Sequence, residues 1–470
     1  MVVGTLAIEL DTVVIGSGPG GYVAAIRAAQ EGQNVTIVER YDTLGGVCLN
    51  VGCIPSKALI HAGHQFLAAN GGAEVFGIQS EAKLDFQKLQ EWKQKDVVGK
   101  MTSGVAYLMK KNNIDVLHGT AYINDDHEFT LMKDDDTHQL YKFNNLIVAT
   151  GSRPIEIPGF KFGGRIIDST RALSLPEFPK RLAVIGGGVI GSELGTAYAN
   201  LGSEVTILEG SPQLLPSFEK DVVKVVQKDM EGKGMKVVTK AMAKEAVDNG
   251  DSITVKYEVD GKEEEVIVDY VLVSVGRRPN TDDLGLEAAG VEMLDRGFVK
   301  VDNQGRTSVP HIYAIGDIVP GVSLAHKASY EGIVAAEAIS GKPSAVDYRS
   351  IPAVAYVDPE IAQYGLTKAQ AKEKGLDVHE FKFPWSASGR AVAMHAEEGF
   401  LRLIATKGDN IIVGGQMVGP RASDVMAEVG SYIEAGMTAE DVALTIHGHP
   451  TLTEAIKDAA EGLLGKPVNL

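Results

Sequence analysis

Cysteine is nearly absent from this chain, which has two cysteines in 470 residues. Basic residues are also outnumbered: 45 lysines and arginines stand against 62 aspartates and glutamates, for a net charge of −17. That charge argues against binding nucleic acid or an anionic membrane through bulk electrostatics. No apolar run approaches the ~18 residues that span a bilayer, and residues 1–11 lack the pattern of a targeting peptide. We therefore expect a cytoplasmic protein.

Length and composition indicate several domains. A chain of 470 residues is long enough for about three domains. Its 44% apolar content and 53 glycines fit a large α/β protein. From about Ser350 the pattern changes to short alternating strands and amphipathic helices, which indicates a C-terminal domain of a different kind.

One supersecondary unit occurs twice, and the second copy starts 170 residues after the first. Each copy has an apolar strand, a G-x-G-x-x-G turn, a helix, a second strand and an acidic residue 23 positions after the first glycine. An isolated G-x-G-x-x-G is weak evidence, but this is the full βαβ context of a dinucleotide-binding unit. The predicted binding residues are Gly16, Gly18, Gly21 and Glu39 in the first copy, and Gly186, Gly188, Gly191 and Glu209 in the second.

The two predicted dinucleotides differ in chemistry. Cys48 lies nine residues after Glu39, so the first dinucleotide is the one placed to exchange electrons with sulfur. A flavin accepts electrons from a thiolate, whereas a nicotinamide accepts hydride, so we predict FAD at the first site and a nicotinamide cofactor at the second. Glu209 would repel a 2′-phosphate and residues 210–213 contain no arginine, which favours NAD over NADP. The alternative for Glu209 is a solvated charge at a strand end.

The two cysteines, Cys48 and Cys53, have four residues between them. In a regular helix such residues are separated by about 7.5 Å along the axis and point about 140° apart, which is too far for a disulfide. The helix is therefore distorted here or the pair straddles its start, and Gly46, Gly52 and Pro55 allow this. We predict a redox-active dithiol; two inert buried thiols are the alternative.

Three further apolar strands lead into glycine. Residues 146–154 and 271–279 each contain a strand, a glycine and a proline three residues after it, and we predict that each strand closes its nucleotide domain. Residues 312–317 are a strand that ends in Gly-Asp. The carboxylate of Asp317 could accept a hydrogen bond from a ribityl hydroxyl of the flavin, and an ordinary turn is the alternative.

A candidate base lies near the C-terminus. His449 precedes Pro450, which keeps it out of the helical region and predicts a helix beginning at Pro450. Glu454 would hold the imidazole in one tautomer and raise its basicity. Thr451 and Glu454 also form a capping-box pattern, which needs no catalysis. We expect no zinc at Cys48, Cys53, His447 and His449, because the His447-x-His449 spacing is too short for a typical zinc site and the cysteines already have a flavin as partner.

With these motifs the chain resembles, along its entire length, the flavoprotein disulfide reductases, or class I pyridine nucleotide-disulfide oxidoreductases. It is most similar to the members that oxidise dihydrolipoamide, because the Cys48–Cys53 and His449–Glu454 signatures occur together. The resemblance implies an α/β fold with two Rossmann-like dinucleotide-binding domains, for FAD and NAD, plus a C-terminal α+β dimerisation domain. The implied boundaries are 1–150 for the FAD domain, 151–280 for the NAD domain, 281–349 for a central segment completing the FAD domain, and 350–470 for the interface domain.

The resemblance also implies roles for individual residues. Cys48 corresponds to the sulfur that exchanges with substrate and Cys53 to the sulfur beside the flavin, while His449 and Glu454 reach the disulfide of the other subunit in a homodimer. Lys57 resembles the lysine near the reactive nitrogen of the flavin, with Glu193 as its ion-pair partner. The other implied cofactor-binding positions are Arg40, Gly45, Gly46, Val47, Gly119, Ala121, Thr150, Gly151, Gly187, Val189, Ile190, Gly276, Arg277 and Ala325.

The implied reaction moves electrons from a dihydrolipoyl group through the disulfide and FAD to NAD. The expected partners are the lipoyl and subunit-binding domains of an acyltransferase in a 2-oxo acid dehydrogenase complex, such as the pyruvate dehydrogenase complex. An NADPH-dependent glutathione-type disulfide reductase is an alternative, which Glu209 opposes, and a non-enzymatic NADH-sensing flavoprotein is another. A mercury reductase or large thioredoxin reductase would need extra C-terminal cysteines, which residues 465–470 lack.

Overall fold

The computed structural model describes residues 7–133 and 135–470. Strands and helices alternate in the N-terminal region. In chain order it contains β1 (Ile8–Ile15), α1 (Pro19–Gln30), β2 (Val35–Glu39), α2 (Gly46–Val51), α3 (Cys53–Leu67), α4 (Phe86–Trp92), α5 (Gly99–Lys111), β3 (Asp115–His118), β4 (Thr120–Ile123), β5 (Glu128–Met132) and β6 (His138–Val148).

The N-terminal sheet has the order β3-β2-β1-β6-β5-β4. Strands β3, β2, β1 and β6 are parallel, and β5 and β4 continue the sheet in antiparallel fashion. Along β1, Val13 and Ile15 pack into the hydrophobic core on one face of the sheet, and Val14 packs into the core on the other face. Because a parallel strand covered on both faces is apolar throughout, the run Val13–Ile15 shows no alternation with polar residues.

The middle region repeats this arrangement. In chain order it contains β7 (Ser152–Pro154), β8 (Ile166–Ile167), α6 (Ser169–Ala172), β9 (Arg181–Ile185), α7 (Val189–Asn200), β10 (Glu204–Glu209), α8 (Lys220–Gly232), β11 (Lys236–Thr239), β12 (Met242–Asp248), β13 (Ile253–Val259), β14 (Lys262–Val268), β15 (Tyr270–Val273) and β16 (Arg277–Pro279). Its parallel sheet has the order β11-β10-β9-β15-β8, and β12, β13 and β14 form a separate antiparallel sheet.

After the middle region the chain returns to the first sheet through β17 (Ile312–Ala314) and α9 (Ala325–Ile339). Strand β17 pairs in parallel with β6, and α9 packs so closely on α1 that a Cβ at Gly332 would lie 2.6 Å from the Gly20 carbonyl oxygen. The strand in 271–279, β15, is the last strand of the middle parallel sheet in chain order, whereas the strand in 146–154, β6, is followed by β17 in the first sheet. Strand β6 has β17 beyond it, and β15 has β8 beyond it.

The glycine-proline segments that follow those two strands pair with each other. Strands β7 and β16 form an antiparallel ladder in which Arg277 is opposite Pro154 and Pro279 is opposite Ser152. The N-terminal and middle regions are thus joined by a two-stranded link directly beside the ends of β6 and β15.

The C-terminal region contains a single antiparallel sheet with helices packed on it. In chain order it contains β18 (Ala353–Ala355), β19 (Ile361–Gly365), α10 (Lys368–Glu373), β20 (Val378–Pro384), α11 (Gly389–Ala393), β21 (Phe400–Thr406), β22 (Ile412–Val418), α12 (Ala422–Val425), α13 (Ala427–Ala435), α14 (Ala439–Leu444) and α15 (Glu454–Leu463). The strand order is β18-β19-β22-β21-β20. Within 7–133 and 135–470, none of the helices combines the length and apolar character needed to cross a bilayer.

A cluster of charged side chains joins all three regions. Asp358, just before β19, accepts hydrogen bonds from His64 Nε2 on α3 at 2.7 Å and from Asn200 Nδ2 on α7 at 2.8 Å. It also pairs with Lys233 Nζ, after α8, at 2.8 Å. Burial opposes the ionisation of Asp358, but the His64 hydrogen bond and the Lys233 ammonium outweigh it and hold the pKa of the carboxyl well below its usual range.

Candidate active site

The first glycine fingerprint forms a tight turn between β1 and α1. Gly16 has a φ of +101°, a conformation that favours glycine. A Cβ at Gly21 would lie 1.8 Å from the Gly16 carbonyl oxygen, so α1 packs directly on the turn. A Cβ at Gly18 would point into open space. This opening lies at the N-terminus of α1, whose first N–H groups have no intrahelical acceptor, and it therefore fits the phosphates of a dinucleotide.

Glu39, at the end of β2, faces this turn. Its Oε2 accepts hydrogen bonds from the Ser17 N–H at 3.0 Å and the Ser17 hydroxyl at 2.5 Å, and its Oε1 accepts one from the Tyr41 N–H at 3.1 Å. The carboxylate has about four acceptor positions, so it retains capacity for a ribose hydroxyl. The Gly45 N–H donates to Ser17 Oγ at 3.1 Å. Ser17, which the sequence analysis did not single out, thus joins the fingerprint to the cysteine segment.

The second fingerprint has the same geometry. Gly186 has a φ of +96°, a Cβ at Gly191 would lie 2.1 Å from the Gly186 carbonyl oxygen, and the space beside Gly188 is open. Glu209 accepts hydrogen bonds from the N–H groups of Gly187 and Ser211, both at 2.6 Å. This turn therefore also fits a dinucleotide.

The cysteine pair straddles a break between two helices, one of the two geometries that the spacing predicts. Cys48 lies in α2, Gly52 has non-helical angles (φ −140°, ψ −112°), and Cys53 is the first residue of α3. Both cysteines are free thiols. The start of α2 packs on the first fingerprint, because a Cβ at Gly46 would lie 2.6 Å from the Gly18 Cα. The pair is thereby held beside the first nucleotide cradle.

The pKa values of the two thiols are shifted in opposite directions. The hydrogen bond with Cys48 lowers the pKa of the Cys53 thiol to about 7, against the effect of burial, and the Lys57 ammonium lowers it further. The same hydrogen bond and burial raise the pKa of the Cys48 thiol. The hydrogen bond and the Lys57 ammonium therefore favour Cys53 as the thiolate of the pair.

Lys57 is held near the pair by groups from two other regions of the fold. Its Nζ lies 2.7 Å from Glu193 Oε2 on α7 and 4.4 Å from the centre of the Tyr356 ring, which adds a cation–π contact. Glu193 Oε1 accepts the Tyr356 N–H at 2.9 Å. The Lys57–Glu193 pair was expected from the family resemblance. Tyr356 was not predicted, because it is 163 residues from Glu193 and carries no local motif.

Asp317, at the end of β17, belongs to a second polar chain. Its Oδ2 accepts a hydrogen bond from Ser152 Oγ at 2.5 Å, and Ser152 Oγ accepts one from Arg277 Nε at 2.8 Å. The Gly316 N–H donates to the buried Glu331 Oε2 at 2.8 Å, which holds the turn. The Asp317 carboxylate keeps further acceptor positions and therefore fits a ligand hydroxyl.

The His449 ring is oriented by Glu454. His449 Nδ1 lies 2.8 Å from Glu454 Oε1; because a carboxylate only accepts, Nδ1 carries the hydrogen and Nε2 remains an acceptor. The side chain of His449 is 82% exposed. The hydrogen bonds from the Thr451 N–H and His449 outweigh partial burial and lower the pKa of Glu454. Over residues 7–133 and 135–470, no hydrogen bond or ion pair joins His449 to Cys48 or Cys53.

The helix after His449 begins later than predicted. Helix α15 starts at Glu454 and not at Pro450. Glu454 Oε2 accepts the Thr451 N–H at 2.7 Å, while the Thr451 hydroxyl donates to the Gly448 carbonyl at 2.7 Å. These bonds hold residues 450–453 as a separate turn. Glu454 therefore holds the imidazole, but the predicted capping box is not formed, because the helix N-cap is Thr453 and the Thr451 hydroxyl bonds to the Gly448 carbonyl.

Two of the other predicted cofactor positions, Gly119 and Thr150, make hydrogen bonds. The Gly119 N–H donates to the Glu39 carbonyl at 2.9 Å, and Thr150 Oγ1 donates to the Asn280 carbonyl at 2.7 Å. Ala121 is buried in the core on β4. The Arg40 guanidinium lies 4.7 Å from the centre of the Tyr41 ring. Gly151 and Gly276 have positive φ angles of +71° and +132°. The remaining positions lie at or near the starts of helices: Val47 on α2, Val189 and Ile190 in the first turn of α7, and Ala325 on α9.

Comparison with known proteins agrees with this geometry. Residues 10–332 match the pyridine nucleotide-disulphide oxidoreductase family, and residues 351–460 match the dimerisation domain of that family. A dihydrolipoyl dehydrogenase of Geobacillus stearothermophilus is 58% identical over 100% of this chain and 99% of its own, and one of Bacillus subtilis is 56% identical over 100% of both chains. The crystal structure of LpdA from Mycobacterium tuberculosis superposes with a TM-score of 0.90 at 25% identity, covering 97% of this chain and 99% of LpdA. The chain therefore belongs to the pyridine nucleotide-disulphide oxidoreductase family and carries its dimerisation domain at residues 351–460.

Proposed function

We propose that this enzyme oxidises protein-bound dihydrolipoyl groups to lipoyl groups and reduces NAD, as a component of 2-oxo acid dehydrogenase complexes. Full-length relatives named dihydrolipoyl dehydrogenase, at 56–58% identity, support the substrate. The observation that carries the proposal is the position of Cys48 and Cys53, on either side of the α2–α3 break and packed on the first fingerprint.

The cofactors are FAD and NAD. The first cradle, with Glu39 and the nearby Asp317, holds FAD, and the second cradle, with Glu209, holds NAD. Bound FAD supplies two-electron chemistry between a thiolate and a nicotinamide. Glu209 already accepts two N–H groups in the second cradle. Its charge disfavours the additional phosphate of NADP, so NADH is expected to be used in strong preference to NADPH.

The dithiol half-reaction follows from the protonation states of the side chains. His449 Nε2 takes a proton from one thiol of the dihydrolipoyl group, and the thiolate attacks the Cys48 sulfur of the oxidised Cys48–Cys53 disulfide. The Cys48–Cys53 bond breaks and Cys53 leaves as a thiolate, which its lowered pKa favours. The second substrate thiol then displaces Cys48 from the mixed disulfide, and Cys48 takes up the proton of that thiol, which its raised pKa favours. The substrate is released as the cyclic disulfide.

The base and the disulfide come from different subunits in this proposal. His449 is highly exposed and lies in the dimerisation domain, while its own Cys48 and Cys53 belong to the N-terminal region. We therefore propose that His449 and Glu454 of one subunit complete the dithiol site of its partner. The lipoyl and subunit-binding domains of an acyltransferase are the proposed protein partners. A cytoplasmic location suits a chain whose two cysteines form a redox pair and not a structural disulfide.

The test measures reduction by dihydrolipoamide and flavin reduction by NADH separately in the variant His449→Gln. Anaerobic titration of the parent with dihydrolipoamide is expected to produce a long-wavelength thiolate-to-flavin absorption band. The variant should form this band roughly 10²–10⁴-fold more slowly, the usual contribution of a general base, while NADH still reduces its flavin at the parental rate. His395→Gln is a matched control, since His395 is an exposed histidine of the same region and should leave both half-reactions unchanged. Equal rates of band formation in all three proteins would refute the assignment.

A further inference from the structure

A group of potential metal ligands lies on the N-terminal sheet outside the redox site. Asp126, His127 and His311 each offer one ligand atom, and these three atoms lie within 4.8 Å of one another. We propose that these residues bind one divalent transition-metal ion of the zinc type. None of them belongs to a nucleotide cradle or to the dithiol site.

The topology of the sheet brings the two histidines together. Strand β5 pairs with the first half of β6, and β17 pairs with its last residues. His127 immediately precedes β5, and its carbonyl accepts the Phe143 N–H at 2.9 Å. His311 immediately precedes β17, and its carbonyl accepts the Leu146 N–H at 3.0 Å. The two histidines therefore lie beside the part of β6 where its pairing partner changes from β5 to β17.

Hydrogen bonds leave one ring nitrogen of each histidine as an acceptor. His127 Nδ1 lies 2.9 Å from the Phe143 carbonyl oxygen, and His311 Nε2 lies 2.6 Å from the Asp126 carbonyl oxygen. A carbonyl only accepts, so these two nitrogens donate, and in the neutral rings Nε2 of His127 and Nδ1 of His311 keep their lone pairs. Metal-binding histidines commonly donate their other N–H to a carbonyl in this way, which orients the ring.

The spacing is compatible with one small cation. The two imidazole rings are stacked, with centroids 4.0 Å apart and planes 8° apart. Because an imidazole binds a metal ion near its own ring plane, one ring must turn toward the other before both nitrogens reach the same ion. Two ligand atoms bound to one tetrahedral zinc ion are about 3.4 Å apart. Atoms that lie within 4.8 Å therefore need to approach by no more than about 1.4 Å. Asp126 and His127 are exposed, which allows this movement.

The donor set indicates the kind of ion. Two imidazole nitrogens and one carboxylate oxygen suit zinc and its neighbours, whereas calcium and magnesium prefer ligands that are all oxygen. Three protein ligands leave a fourth tetrahedral position for water. A bound ion would connect the β4–β5 turn to the segment that leads through β17 to Asp317, and it would therefore stabilise this edge of the sheet.

The test compares zinc binding by the oxidised holoenzyme, in which the cysteine pair is closed, with that of His127→Gln/His311→Gln. In equilibrium dialysis at micromolar free Zn²⁺, the parent should bind one more zinc ion per subunit than the double variant. His138→Gln, an exposed histidine at the start of β6, should match the parent. Zinc should raise the thermal midpoint of the parent and not that of the double variant, and X-ray absorption at the zinc edge should show two imidazole ligands.

Equal zinc stoichiometry in the parent and the double variant would overturn the proposal. Sulfur ligands in the absorption spectrum, or a difference that needs millimolar zinc, would also overturn it. If the double variant does not fold, Asp126→Asn provides the comparison, because it removes a charged ligand from an exposed turn and leaves both histidines. It should bind zinc more weakly than the parent, and unchanged affinity would count against the site.

Discussion

Replacing Asp358 by asparagine should destabilise the whole chain, because this carboxylate connects all three regions. It accepts hydrogen bonds from His64 and Asn200 and forms an ion pair with Lys233, all at 2.7–2.8 Å. The asparagine has one acceptor oxygen where the carboxylate has two, and it removes one of the two carboxylates that pair with Lys233, which keeps Asp229 at 2.8 Å. Breaking a buried ion pair costs about 3–5 kcal/mol. The Asp358 side chain is 17% exposed, so we expect the lower end, about 3 kcal/mol.

This free energy corresponds to a measurable change in the thermal midpoint. A loss of about 3 kcal/mol lowers the midpoint by about 6–12 °C, at 2–4 °C per kcal/mol for a large domain. Differential scanning calorimetry of the holoenzyme at pH 6 would measure it. Asp347→Asn is the matched control, since Asp347 is exposed and accepts the Tyr330 hydroxyl. The control should lie within about 2 °C of the parent, as surface substitutions usually do.

The effect should also depend on pH with a defined sign. The pKa of Asp358 is lowered in the fold, so its contribution is present above its ordinary value of 3.8 and is lost as pH falls through the lowered value. The Asp358 hydrogen bond raises the pKa of His64, whose contribution is complete below 6.5 and is lost as pH rises through the raised value. The difference in the free energy of unfolding between the parent and Asp358→Asn is therefore largest between about pH 4 and 6.5. A midpoint difference at pH 6 no larger than that of Asp347→Asn would refute this reasoning.

Two further substitutions test the redox site and the second cradle. Lys57→Met removes a cation that lowers the pKa of Cys53. The thiolate absorption band of the two-electron-reduced enzyme should therefore titrate at a higher pH than about 7. Lys57→Arg should restore the parental titration, and an unchanged titration in Lys57→Met would exclude this role. Gly191→Ala places a Cβ 2.1 Å from the Gly186 carbonyl oxygen and should abolish flavin reduction by NADH while FAD content and the dithiol half-reaction survive. Gly232→Ala, where a Cβ meets no atom within 4 Å, should leave NADH reduction intact, and parental NADH rates in Gly191→Ala would contradict the cradle geometry.

The features predicted well are those made by neighbouring residues. The turn at Gly16 is set by the conformations available to glycine and by the direct contact with Gly21, five residues later. The break between Cys48 and Cys53 follows from Gly52, which interrupts the helical angles. These conformational preferences and steric contacts act over a few residues, so the motif contains all the information that the geometry needs.

The errors concern one contact between distant segments and one local turn near the C-terminus. Strand β6 is not the last strand of its sheet in chain order, because β17 returns to it from more than 160 residues later. The helix start moved from Pro450 to Glu454, because hydrogen bonds of Glu454 and Thr451 hold the preceding residues as a separate turn. The strand neighbour has no signature in the local pattern of apolar and polar residues. The Thr451–Glu454 pattern is visible in the sequence, but it predicts a helix cap and not the separate turn that the structure shows.

Sequence patterns were sufficient to identify two dinucleotide turns, the acidic residue after each and a dithiol beside the first, because backbone conformation over a few residues produces them. Folding in three dimensions established which buried charges are paired. It placed Tyr356 against Lys57 and brought His64 and Lys233 to Asp358. A buried charge is stabilised by whatever partner the packing brings within about 3 Å, however far away in the chain that partner lies.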